Sequence, residues 1–237
     1  MTWSIVARDR DTGQLGIAVA TCFFAVGALV PYVKARVGAI ATQALVNPFY
    51  GVDGLRLLEQ GKSAAAAVAA LTAADAGCDW RQVHMIDARG GIAAHTGKSC
   101  VAWCGHLIAD DISVAGNMLA GEAVIADTLA AYREHAALPF PRRLVAAMQA
   151  GEAAGGDKRG RQSAALVICA DEDWPVLDLR VDDHADPLTE LARLEAKSRG
   201  RFAHFMRIMP SRRDRVGVID PDAINGEMAK GLAIEES

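Results

Sequence analysis

The chain has 237 residues, 51% of them hydrophobic and 23% charged, which excludes sustained disorder and supplies enough apolar surface for a real core. Lys plus Arg total 25 against 29 for Asp plus Glu, a formal charge of −4, so there is no global positive field to draw in nucleic acid or an anionic membrane. Five cysteines without disulfide-framework spacing, in a chain large enough to do without disulfides, point to a reducing, cytoplasmic compartment. Residues 12–33 carry no charge, but Gly13, Gly16, Gly27 and Pro31 interrupt them, and they read as a buried strand running into a loop rather than as a membrane span.

Thr2 to Arg8 and Leu15 to Thr21 form an expected N-terminal hairpin around the turn formers Asp9 to Gly13. After a loop around Pro31, Val37 to Leu45 is a third strand, ended by Asn47-Pro48. Gly51 to Asp75 reads as a pair of helices, the second opened by Ser63. Val83 to Asp87 and Ile92 to His95 make a second hairpin over a Gly-bearing turn, and Val101 to Ile108 and Ile112 to Ala115 continue as strands. Helical periodicity returns over Glu122 to His135 and Pro141 to Ala154, followed by strands over Ser163 to Ala170 and Val176 to Val181 and a helix from Pro187 through Leu194. This order suits an α+β fold of segregated layers better than alternating βαβ units. Residues 1–198 are expected to form the core domain. Residues 199–237, basic from Arg199 to Arg215 and acidic from Glu227, read as an extension.

Thr2 is the first candidate for chemistry. Removal of Met1 would leave a threonine whose own α-amine, with a pKa of about 8, can take the hydroxyl proton and return it. The segments TWSIVARD (2–9), GIAVATCFFAVG (16–27), GAIATQA (38–44), AHTG (94–97), GNML (116–119), GGDKRGRQSAAL (155–166) and LRVDDHADP (179–187) resemble domain of unknown function 1028, a bacterial family. The opening strand, hairpin and strand is similar to that of the N-terminal-nucleophile (Ntn) hydrolases. The resemblance spans residues 2 to about 198 and implies a four-layer αββα sandwich of two packed antiparallel sheets. Activity implied by the superfamily is hydrolysis of an amide or related C–N bond in a small molecule. Thr2 would attack, Lys34 would lower the pKa of the nucleophilic system, and backbone N–H groups near Thr42 to Ala44 or near Asn117 would hold the oxyanion. Lys34 also reads as a solvated loop lysine. Ser4, on the same strand face as Thr2, is a substitute nucleophile.

Thr21, Thr42 and Gln43 are expected to line the substrate site. So are Asp157, Lys158, Arg159 and Ser163, whose loop has the glycine separation of a phosphate loop but reverses its helix and strand order. Asp182, Asp183 and His184 complete the set, as binders of polar substrate groups. His95, Cys100, Cys104 and His106 invite a zinc reading, but an extended strand would hold the two thiols about 13 Å apart, too far for one ion. Cys22 reads as core. No metal and no cofactor are expected; the partners are a small-molecule substrate and a second copy in a homodimer or higher homo-oligomer. The competing expectation is a non-catalytic binding or structural oligomer of the same fold that keeps Met1.

Overall fold

The computed structural model describes residues 2–235. Its ten strands and seven helices, counted among those residues, run in the order β1(Thr2–Arg8), β2(Leu15–Thr21), β3(Pro31–Lys34), β4(Gly38–Ala44), α1(Pro48–Glu59), α2(Ala64–Ala73), β5(Arg81–Asp87), β6(Ile92–Thr96), β7(Gly105–Ala109), β8(Ile112–Asn117), α3(Ala123–Glu134), α4(Phe140–Ala153), β9(Ser163–Cys169), β10(Leu177–Val181), α5(Pro187–Ser198), α6(Arg201–Ile208) and α7(Pro221–Glu235). The fold is mixed α and β, with two antiparallel sheets ordered β10-β9-β2-β1-β8-β7 and β3-β4-β5-β6.

β1 is central. It pairs with β2 on one side, Trp3 opposite Ala20, and with β8 on the other, Thr2 opposite Asn117. Alternation sorts its side chains onto two faces. Val6 joins Leu15, Ile17 and Val19 of β2, Ala39 and Ala41 of β4 and Ile86 of β5 in a core shared by the two sheets. Trp3 and Ile5, also fully buried, point the other way, toward α4, where a Cβ on Gly151 would lie 2.9 Å from the Trp3 indole nitrogen. α3 and α4 pack on β8, β2 and β9, and α1 and α2 pack on β4, β5 and β6. Ile40, Tyr50, Val68, Leu71, Val83 and Met85 form the core of that second helix–sheet contact.

Local chemistry sets the helix starts. Asn47 accepts from the Phe49 amide at 3.1 Å with Pro48 at the first helical position, and Ser63 accepts from the Ala66 amide at 3.2 Å. The start of α1 is tied further by Asn47 Nδ2, which donates to Asp75 at 3.1 Å. Burial works to raise the Asp75 carboxyl, but the Gly77 amide, Asn47, Arg81 and Tyr50 outweigh it and hold the group at about 2.

Two expectations are corrected. The stretch around Pro31 is a strand, β3, paired with β4, rather than a loop. Residues 101–104 are not part of a strand: β7 begins at Gly105, and the Cys104 Sγ lies 3.5 Å from the Cys100 carbonyl. The extended separation of the two thiols expected from the sequence therefore does not exist. Among the described residues no group of three or more His, Cys, Asp or Glu side chains is placed to hold a metal ion, and no helix is long and apolar enough to cross a membrane.

The chain divides into two compact units, the first ending at Leu191 and the second beginning at Ala192, inside α5. The second unit is a helical hairpin. Glu235 accepts from the Arg201 amide at 2.9 Å and from Lys197 Nζ at 2.7 Å, and His204 Nδ1 lies 2.6 Å from Glu227. Its α6 and α7 were not legible in the basic and acidic composition of residues 199–237.

Candidate active site

Thr2 is 7% exposed, and its hydroxyl donates to Thr21 Oγ1 at 3.3 Å. Both threonines open into a cleft of about 380 Å³ lined also by Phe23, Val26, Leu29, Val30, Ala44, Leu45, Val46 and Arg159. The cleft lies where β1, β2 and β4 end, which places a hydroxyl at the head of a central strand, on a rigid support. Two of the surrounding turns hold non-glycine residues in the left-handed region, Ala44 at φ 70 and Met118 at φ 59. That is a costly conformation of the kind that collects at functional sites.

Behind Thr2 lies a buried polar network joining the two sheets. Gln43 Nε2 is 2.8 Å from Gln82 Oε1, 3.2 Å from the Ala115 carbonyl and 3.4 Å from the Thr2 carbonyl. Asn117 Nδ2 donates to Gln82 Oε1 at 3.0 Å and to the Thr2 carbonyl at 3.4 Å. Gln82 Nε2 in turn reaches the Gly116 carbonyl at 2.8 Å, Thr96 Oγ1 at 2.9 Å and the Gly105 carbonyl at 3.0 Å.

Ser4 Oγ donates to Gln43 Oε1 at 2.7 Å and lies 2.8 Å from His84 Nε2, while His84 Nδ1 lies 3.0 Å from Ser113 Oγ. Because the single Ser4 proton is given to Gln43, His84 Nε2 donates to Ser4, and in the neutral ring that burial favours Nδ1 is then the acceptor facing Ser113. Burial, reinforced by the charge of His106, pushes His84 down to about 3.

The expected site residues divide accordingly. Thr2, Thr21 and Arg159 line the cleft. Gln43 and Asn117 touch the Thr2 backbone from behind, and with its side-chain amide given to Gln82 and the Thr2 carbonyl Asn117 positions Thr2. The Thr42 amide donates to the Val30 carbonyl and its hydroxyl to the Asn47 carbonyl, so it serves the cleft wall instead of facing substrate.

Asp157 is buried. It accepts from the Cys22 amide at 2.7 Å and the Arg159 amide at 2.9 Å, with Arg159 Nη2 at 3.2 Å. Lys158 donates to the Ala102 carbonyl at 2.9 Å, on the surface. Ser163 is fully buried, donating to the Phe23 carbonyl at 2.6 Å and accepting from the Val26 amide at 3.1 Å, a clasp on the 22–26 loop.

Three further expectations are not met. Lys34 is not beside Thr2: it pairs with Glu59, opposite Gly38, roughly 16 Å along β4 from Gln43 at strand rise. Ser4 has no access to the cleft, being fully buried. Asp182, Asp183 and His184 do not line it either: Asp182 binds Arg180, Asp183 accepts from Gln162, and His184 Nδ1 accepts from the Asp186 amide. Gln82, His84 and Ser113 were not among the expected site residues, although the signal is visible as polar residues at inward positions of β5 and β8, facing Ser4 of β1 and Gln43 of β4. Met1, whose removal the Thr2 chemistry requires, lies outside the described residues.

A family model described as "Family of unknown function (DUF1028)" matches residues 2–191. The chain belongs to the DUF1028 family. Among solved structures, it is similar to the crystal structure of protein SPO2555 from Silicibacter pomeroyi, also assigned to DUF1028, with 33% identity, a TM-score of 0.86 and coverage of 92% of this chain and 96% of that one. No curated protein matches it. The DUF1028 match covers the two sheets, α1 to α4 and the cleft, and it stops where the first compact unit stops.

Proposed function

We propose that this DUF1028 protein is an amide hydrolase of the Ntn type, acting on a C–N bond in a small molecule with Thr2 as nucleophile once Met1 is gone. The observation that carries the reading is the position of Thr2: the head of a central strand, with its hydroxyl facing a 380 Å³ cleft and its carbonyl fixed from behind by two side-chain amides. Packing of α3 and α4 on one sheet and of α1 and α2 on the other supports the four-layer αββα architecture implied by the resemblance.

In this mechanism the α-amine of Thr2 accepts the hydroxyl proton as Oγ1 adds to the substrate carbonyl carbon. The protonated amine then gives that proton to the leaving nitrogen as the C–N bond breaks. A water, deprotonated by the same amine, adds to the resulting ester, releases the acid and restores the hydroxyl. Gln43 and Asn117 keep the threonine backbone in place through these steps. Lys34 has no part.

The test begins with mass spectrometry of the natural chain to establish its first residue. Thr2→Ala is expected to lower turnover of a responsive amide by about a thousandfold or more, Thr2→Ser to retain part of it, and an electrophilic amide analogue to label Thr2. An intact Met1 throughout the soluble natural protein, with no labelling, overturns the reading in favour of a binding protein or oligomer. That second reading has one observation behind it: Phe23, Leu29 and Leu45 on the cleft wall are exposed, as an association surface would have them.

A further inference from the structure

The wall of the Thr2 cleft is chemically lopsided. Of the ten described residues that line it, Phe23, Val26, Leu29, Val30, Ala44, Leu45 and Val46 are apolar, Thr2 and Thr21 offer hydroxyls, and Arg159 is the one ionisable side chain. No carboxylate is among these described residues. Asp157 stands behind Arg159 with its side chain fully buried.

Arg159 is held in place from several directions. Its guanidinium and its own amide both bind Asp157. Asp157 is joined to the end of β2 through the Cys22 amide and, by a backbone bridge with Leu119, to the turn after β8. The cation therefore sits at a fixed place beside the two strands that carry Thr21 and Asn117. Fixing a long arginine side chain in advance removes part of the entropy cost of using it for recognition.

We infer that the ligand of this cleft is an amide bearing an ionised carboxylate at one end and an apolar group at the other, with the carboxylate against Arg159 and the apolar group against Val26, Leu29, Val30 and Leu45. The word amide rests on the proposed hydrolase reading; the carboxylate and the apolar group rest on the wall itself. A cationic ligand would meet a guanidinium and no acceptor of opposite charge. A carboxylate matches one edge of a guanidinium. An apolar group seated on that lining would exclude water from it and strengthen the contact. At about 380 Å³ the cleft is at the small end of the range of roughly 300–1,000 Å³ for small-molecule sites, which fits a compact N-acyl amino acid better than a polymer.

The probes are N-hexanoylglycine, its neutral methyl ester, the cationic mono-hexanoyl ethylenediamine, and N-acetylglycine, which keeps the carboxylate but lacks the chain. Binding is measured calorimetrically on the full Thr2→Ala chain, so that cleavage does not enter. N-hexanoylglycine is expected to bind about tenfold or more tightly than its ester, the scale of a charge-assisted contact, and more tightly than N-acetylglycine. Arg159→Gln is expected to bring the ratio of the two affinities, N-hexanoylglycine against its ester measured in the same variant, down to about one.

Equal or tighter binding of the ester or the cation, an unchanged preference in Arg159→Gln, or no binding of any probe overturns the inference. The two readings fail separately. Selective binding of N-hexanoylglycine without its cleavage by the wild-type chain leaves the ligand class standing and removes the hydrolase. Cleavage of neutral amides with no advantage for the anionic one does the reverse.

Discussion

Asp157 shows how a buried charge serves a site without touching it. Its carboxylate, within hydrogen-bond distance of the Cys22 and Arg159 amides and of the Arg159 guanidinium, fixes the loop that bounds the cleft. Asp157→Asn keeps the shape but removes the charge and replaces an acceptor with a donor. Because Arg159 is partly exposed, the expected loss is about 1–3 kcal/mol, read as a fall in thermal midpoint of a few degrees together with weaker binding of an anionic ligand. An unchanged midpoint would mean that the loop is held by its backbone alone. The sequence marks Asp157, Lys158 and Arg159 as a cluster of polar groups, but it cannot show which of them spend their hydrogen bonds inside the protein. Ser163 and Lys158 spend theirs on the Phe23 and Ala102 carbonyls, and only Arg159 reaches the cleft.

Among the elements, α1 depends on two glycines to lie close on its sheet. A Cβ on Gly51 would run into the Tyr32 ring, and one on Gly54 would come within 2.6 Å of Ile40 Cδ1. Gly51→Ala is thus expected to destabilise the fold by about 1–3 kcal/mol through overpacking, although alanine is the better helix former. A chemical-denaturation midpoint at or above that of the wild type would contradict this.

The hairpins and the helix pair were legible because turn formers and apolar periods mark them. β3 was not: four half-buried residues opening on a proline carry almost no pattern, and their strand state comes from pairing with β4. Residues 101–104 mislead in the opposite sense, since their apolar character suggests a strand that the chain does not make. Lys34 was misplaced for the same reason as β3, because only the pairing of β3 with β4 reveals which end of the sheet it occupies.

For the molecule as a whole, the sheets meet through an interior that is apolar at one end and hydrogen-bonded at the other. This has a consequence for acid stability. His84, buried and held neutral, titrates at about 3 in the folded chain against an ordinary 6.5. Between those values the unfolded chain binds the extra proton, so stability is fully present above about pH 6.5 and falls as the pH drops toward 3. Asp75, held at about 2, adds a loss of the same sign below its ordinary range. Urea midpoints measured from pH 7 to pH 4 are expected to decline for the wild type and to decline less steeply for His84→Gln, even though that variant begins less stable. Parallel declines would assign the acid sensitivity elsewhere.

The Gln43–Gln82 contact also bears on how such a chain can drift. Each amide completes the other's bonding and each also serves a carbonyl of the opposite sheet, so replacing either one alone strands a partner in a dry interior. Descendants should therefore exchange the two together, or keep both, long after the surrounding valines and alanines have been reshuffled.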